Sequence, residues 1–128
     1  MKLSRSQQIF TANISCLIAY ATSEGIGMTV GDAYRPQELQ LLYYHGFTLK
    51  EDNGVLKLVK SNKRSNTLES NHAKRLAQDF NHFIGGVLTY EKALLQKLGD
   101  YWESLHPKNR WGGNFKSILD VPHYEMNI

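Results

Sequence analysis

Two of the five histidines stand in company that could do chemistry. His72 lies in Ser70-Asn71-His72-Ala73-Lys74-Arg75-Leu76-Ala77-Gln78-Asp79, and His123 lies in Asp120-Val121-Pro122-His123-Tyr124-Glu125. Two imidazoles, one carboxylate and an open position make up a catalytic zinc site. Zinc lowers the pKa of a bound water to ~7 and polarises a carbonyl as a Lewis acid. A second carboxylate can then take the water's proton and pass it to a leaving amine. The two segments hold all of these parts.

Spacing sets conditions on the chain. His72 and Asp79 are seven positions apart. On a straight helix they would share a face but lie about 10 Å apart along the axis, too far for one metal. On a straight strand they would point to opposite faces. The chain must therefore bend between them if both bind one ion. His123 and Glu125 are two apart and share a face on a strand. Asp120 joins them only if the chain turns near Pro122, and Pro122 biases Val121 toward an extended conformation.

The elements that must position these residues follow from periodicity. Residues 6–22 predict an amphipathic helix, with Ile9, Ala12, Cys16 and Ala19 as its apolar stripe and Leu17 and Tyr20 beside it. Cys16 is then expected to be a small buried apolar residue. Gly25 and Gly27 end the helix, and residues 28–34 predict a strand that delivers Arg35. Pro36 suits the start of a second helix running to Gly46. Asp52-Asn53-Gly54 is a hairpin turn leading into a strand at Val55–Val59. Residues 60–69 are polar and predict a loop, and residues 76–84 fit a strand or a short helix. Residues 90–105 predict a helix that buries Ala93, Leu94, Leu98, Tyr101 and Leu105, and a short strand at Val121–Met126 closes the chain. Strands scattered among helices without regular alternation point to an α+β fold.

Composition narrows the class. The 128 residues are 41% hydrophobic and 21% charged, which suits one globular domain spanning residues 1–128 and excludes wholesale disorder. One cysteine cannot form an internal disulfide. The longest apolar stretch, around Ile14 to Ala21, is far short of the ~20 residues of a membrane span. Ser6-Gln7-Gln8 after the basic start argues against a signal peptide. A net charge of +3 favours encounter with an anionic surface but is too small for a nucleic-acid footprint, and Lys57 to Arg75 reads as a solvated hairpin and loop. His45, His82 and His106 are expected to be structural or exposed. Tyr101 and Trp102 read as core, whereas Trp111, beside Gly112-Gly113, could line a groove.

The stretch Ser70-x-His72-x4-Ala77-x-Asp79 resembles the Ser-x-His-x-x-Gly-x-Ala-x-Asp motif of the zinc D,D-carboxypeptidase and L-alanyl-D-glutamate peptidase family. Ala33-Tyr34-Arg35 is similar to that family's Tyr-Arg element, and Asp120-x-x-His123 to its closing acid-x-x-His pair. The resemblance spans about residues 30–126. Trp102-Glu103-Ser104-Leu105 and Trp111-Gly112-Gly113-Asn114-Phe115-Lys116 resemble stretches of the compact phage-encoded members. The family's glycine falls at Arg75, where the turn is expected to form with ordinary dihedrals.

The resemblance implies a D,D-peptidase or hedgehog-like α+β domain with a small, mainly antiparallel sheet and flanking helices. It implies Zn2+ held by His72, Asp79 and His123, and Asp120 as general base and acid. Arg35 would hold the scissile carbonyl oxygen or a substrate carboxylate, and Ser70 would hydrogen-bond the peptide, with Trp111 on the groove. Glu125 competes with Asp120 for the proton-transfer role and reads as support for a ligand. The expected substrate is bacterial peptidoglycan, cut at the L-alanyl-D-glutamate bond by a monomer that engages neither nucleic acid nor membrane. An endolysin of this kind would be made in the host cytoplasm and act on the wall after release by a separate protein. The alternatives are a D-alanyl-D-alanine carboxypeptidase, a non-catalytic metal-stabilised binding module and, third, a nucleic-acid-binding module.

Overall fold

A computed structural model describes residues 1–128. In chain order the elements are α1 (Leu3–Ser23), β1 (Ile26–Val30), α2 (Gln37–His45), β2 (Phe47–Asp52), β3 (Val55–Lys60), β4 (Ala77–Ile84), β5 (Val87–Thr89), α3 (Lys92–Leu105), β6 (Asn109–Trp111), a 3-10 turn at Gly112–Asn114, and β7 (His123–Met126). This is the expected α+β class. The main sheet runs β1-β4-β7-β6, with β5 also on β4, and every pair is antiparallel. The β2–β3 hairpin forms a separate two-stranded sheet, closed by Asn53 and Gly54, both with positive φ.

Helices α1 and α3 cover one side of the main sheet. Phe10, Leu17 and Ala21 of α1 meet Leu95, Leu98 and Trp102 of α3 over Phe80, Tyr124 and Met126. Trp102 and Trp111 are the largest core side chains, and the rings of Phe10 and Tyr124 stand edge-on to Trp102 at 5.5 and 5.9 Å. No helix is long and apolar enough to cross a membrane.

Both long helices exist where expected, but each is rotated from its expected face. The buried stripe of α1 is Ser6, Phe10, Leu17 and Ala21, while Ala12, Cys16 and Ala19 face solvent. Burial scales with apolar area, so Phe10 and Leu17 outweigh a stripe of alanines and a cysteine. In α3 the buried positions are Leu95, Leu98, Gly99 and Trp102; Leu94 is 45% exposed, and Tyr101 and Leu105 sit only partly buried at the edge. The large ring of Trp102 decides that face.

Gly99 shows how closely α3 meets β6. A Cβ there would lie 2.0 Å from the Trp111 ring, which is wholly buried against the helix. Gly99→Ala should therefore destabilise the fold by about 3 kcal/mol, since neither ring nor helix can retreat in a packed core. Thermal melting would show it as a drop of roughly 10 °C; an unchanged midpoint would contradict this packing.

The segment 76–84 is a strand, and its chain path sets the site. β1 ends at Val30, earlier than expected, but pairing persists irregularly: Gly31 N–H donates to Asp79 O and Asp79 N–H donates to Asp32 O, each at 2.8 Å. This carries the chain along β4 to Arg35, whose N–H meets the His72 carbonyl at 3.2 Å.

Candidate metal centre

The required bend between His72 and Asp79 is present. Residues 71–75 form a tight turn, with Lys74 and Leu76 N–H groups donating to the Asn71 carbonyl, before β4 starts at Ala77. Arg75 closes it with φ of 58°, in the left-handed region. The expectation of ordinary dihedrals there is thus wrong. An arginine in this region costs roughly 1 kcal/mol relative to glycine. Its guanidinium lies 3.9 Å over the Tyr34 ring, a contact that offsets part of that cost.

The second half comes from β7. Its register on β4 sets Asp79 opposite His123 and Ala77 opposite Glu125. A turn before the strand, with His123 N–H donating to Asp120 O at 3.1 Å, brings Asp120 to the same end. A Cβ on Gly112 would lie 2.0 Å from that same Asp120 carbonyl, so the glycine lets the 3-10 turn back onto it.

His72, Asp79 and His123 converge, each offering a ligand atom within 4.8 Å of the others. Asp79 Oδ1 is 3.4 Å from His72 Nε2 and 3.1 Å from His123 Nδ1. A tetrahedral zinc with arms of about 2.0–2.1 Å has edges of about 3.3 Å, so these separations suit it. The other ring nitrogens fix the lone pairs. His72 Nδ1 lies 2.8 Å from the Ala33 carbonyl, which can only accept, so it carries the proton and leaves Nε2 free. His123 Nε2 lies 2.7 Å from Glu125 Oε1 and donates to it, leaving Nδ1 for a metal. Such partners orient metal-binding histidines and raise their basicity. The donor set, its spacing and its tautomers all fit zinc.

Glu125 is itself anchored by Arg110, whose Nε donates to its Oε2 at 2.8 Å with Nη2 on the same oxygen. Burial pushes the Glu125 carboxyl up, but the His123 and Arg110 hydrogen bonds outweigh it and bring it to about 2. It is therefore an ionised acceptor. Asp120 differs: its Oδ2 is 4.0 Å from His123 Nδ1, its side chain is 47% exposed, and burial raises its pKa despite the nearby His123 charge.

Without metal, His123 lies between two carboxylates. Burial alone would lower its pKa, yet the bonds to Asp79 and Glu125 raise it to about 9. Burial likewise works to raise Asp79, but its bonds to His123 and His72 hold it well below the usual carboxylate range. His123 is thus protonated at pH 7, and that proton must leave when Nδ1 takes a metal. Zinc uptake at pH 7 should release about one proton per chain, with apparent affinity rising about tenfold per pH unit up to about pH 9. Titration calorimetry in buffers of different ionisation heat would measure the release; no buffer dependence would contradict it.

The trio opens onto a polar groove of about 740 Å3, lined among others by Arg35, Arg64, Ser70, Lys74, Arg110 and Asp120. Arg35 is nearly buried, donating to Gln40 Oε1 at 3.0 Å and to Asp32 Oδ2 at 3.3 Å. Ser70 is buried, and its Oγ accepts the His72 N–H at 3.1 Å. Trp111 does not belong with these. It is wholly buried, and its indole N–H donates to the Val121 carbonyl at 2.9 Å, so it cannot touch a substrate. Its ring fills the space left by Gly99 and Gly113, and the groove aromatic is Phe115, 5.7 Å from the His123 ring. His82 is fully buried and bonds the Tyr124 hydroxyl at 2.9 Å, whereas His45 is exposed.

The sequence alone did not reveal Arg110, Gln40 or the Ala33 carbonyl. Arg110 has one signal, its place beside Trp111 in a strand that pairs with β7, but its register opposite Glu125 emerges only from the sheet.

An antiparallel α+β fold thus carries a His-Asp-His trio that could hold a metal ion at the floor of a polar groove. The family model for D-alanyl-D-alanine carboxypeptidase matches residues 63–126, half the chain and all three of these residues. The chain belongs to that peptidase family. Among solved structures, the fold is similar to the L-Ala D-Glu endopeptidase ChiX of Serratia marcescens, with a TM-score of 0.61 and 18% identity over 98% of this chain and 89% of that one. No curated protein matches the chain.

Proposed function

We propose that this protein is a zinc-dependent peptidoglycan peptidase that hydrolyses the L-alanyl-D-glutamate bond of the stem peptide. The observation that carries the reading is the His72–Asp79–His123 trio, with His72 Nε2 and His123 Nδ1 both facing Asp79 Oδ1, on the floor of an open polar groove. Zinc held there would polarise the scissile carbonyl and acidify a water. Asp120 would take the proton as water adds to the carbonyl carbon, and return it to the amine as the C–N bond breaks. Its raised pKa suits that exchange. Arg35 would steady the carbonyl oxygen as charge develops, and Ser70 would hold both the His72 turn and the peptide. Glu125, pinned by Arg110, would fix His123 and leave proton transfer to Asp120.

The choice of bond is supported by the likeness in fold to the endopeptidase of Serratia marcescens. A second reading, removal of the terminal D-alanine, is favoured by the description of the matching family. In the endolysin setting the chain would act as a monomer, made in a host cytoplasm and reaching the wall through a separate permeabilising protein. Mass spectrometry of a disaccharide-tetrapeptide incubated with the zinc-loaded protein separates the readings. Fragments cut after the first alanine would support the endopeptidase, and loss of one terminal alanine the carboxypeptidase. Intact substrate would sink both and leave a binding module.

A further inference from the structure

Gln40 is the only fully buried residue of α2, with 0% of it reaching solvent. Burying a primary amide so completely is costly unless its bonds are made, and here they are made across the groove wall. Nε2 donates to Ser65 Oγ at 2.8 Å and to the Thr67 carbonyl at 2.6 Å, and Oε1 accepts from Arg35 Nη1 at 3.0 Å. The clamp continues toward the metal trio. Glu69 N–H donates to Thr67 Oγ1 at 3.0 Å, and the next residue, Ser70, accepts the His72 N–H. Arg35 meets only one acid, the exposed Asp32, and its Nε is buried without a protein partner. Its guanidinium lies 4.8 Å over the Tyr43 ring, which fixes its plane but does not neutralise it.

We propose that Gln40 is a positioning residue: it aims Arg35 into the groove through a neutral acceptor and pins the 65–67 wall beside it, leaving the guanidinium charge free for a substrate oxygen. The proposal rests on the peptidase reading above. A carboxylate at position 40 would pair with Arg35 and cancel that charge. It would also set its lone pairs against the Thr67 carbonyl, where the amide donates.

The test is a double-mutant cycle on the full zinc-loaded chain, cleaving the disaccharide-tetrapeptide, with Arg35→Ala, Gln40→Glu and the pair. Gln40→Glu should lower kcat/KM about 10- to 100-fold with zinc content unchanged, and cost less than about threefold when Arg35 is already alanine. A merely structural role would cost the same in both backgrounds. Equal losses in both backgrounds, or a Gln40→Glu single variant within about threefold of wild type, would overturn the proposal. If Gln40→Glu does not fold, Gln40→Asn stays neutral but withdraws the amide by one methylene, and runs the same cycle with the same outcomes. Wild-type protein that cleaves nothing would overturn this proposal together with the peptidase reading; cleavage with additive losses would overturn this proposal alone.

Discussion

Asp120→Asn is expected to lower kcat by about 10²- to 10⁴-fold while zinc stays bound. The carboxylate stands at the rim of the trio, its Oδ2 4.0 Å from His123 Nδ1, and no metal-binding atom depends on it. Burial raises its pKa, so it can both accept and release a proton. Asparagine keeps the shape and removes the basic oxygen. The backbone contacts that set the local turn, Asp120 N–H to Gly112 O at 3.0 Å and His123 N–H to Asp120 O, do not involve the side chain. Fold and metal content should therefore match wild type. Steady-state kinetics with metal analysis of the same sample checks this, and Glu125→Gln serves as the control. If Glu125→Gln lost the same factor in kcat at full zinc content and Asp120→Asn did not, the two acids would have to exchange roles.

His123→Ala has the other large expected effect, on metal binding and on the fold. It removes one of the three proposed ligands, so zinc should fall from about one per chain to near zero, and cleavage with it. It also strips a partner from two carboxylates. Asp79 keeps His72 and Glu125 keeps Arg110, but each loses the imidazole between them. Removing one member of a buried charged network costs about 3 kcal/mol. The sign against pH follows from the raised pKa of His123. Its contribution to the metal-free fold is complete below about pH 6.5, the unfolded value, and fades as pH rises through about 9. The wild-type advantage over His123→Ala, measured by denaturant unfolding with chelator present, should thus be larger at pH 6 than at pH 10.

The convergence of His72, Asp79 and His123 was legible because the motifs name residue types and distances that only a bend and a strand can reconcile. His72 and Asp79 require a turn between them, and residues 71–75 make it; His123 and Glu125 require one face of a strand, and β7 supplies it. Cross-strand relations were less accessible. Glu125 shares a strand face with His123 in the sequence, but only the sheet places Arg110 beside it, and Gln40 gains its partners only where the 65–67 segment folds over it. Trp111 misled for a related reason. Two glycines directly after an aromatic suggest an open groove, but Gly99 and Gly113 make room for the ring inside the core. The helix faces shifted because a period of 3.6 allows neighbouring stripes, and the largest side chains select among them. Arg75 shows that a turn can keep its left-handed geometry after losing its glycine.

X-ray absorption at the zinc edge, on the full chain loaded with one equivalent of zinc, tests the metal centre most directly. The expected wild-type spectrum has two imidazole ligands and one carboxylate oxygen at about 2.0–2.2 Å, and zinc added to His123→Ala, which no longer retains it, shows neither imidazole. A wild-type spectrum without imidazole, or one that keeps both imidazoles in His123→Ala, would contradict the assignment of His72, Asp79 and His123 as the zinc ligands.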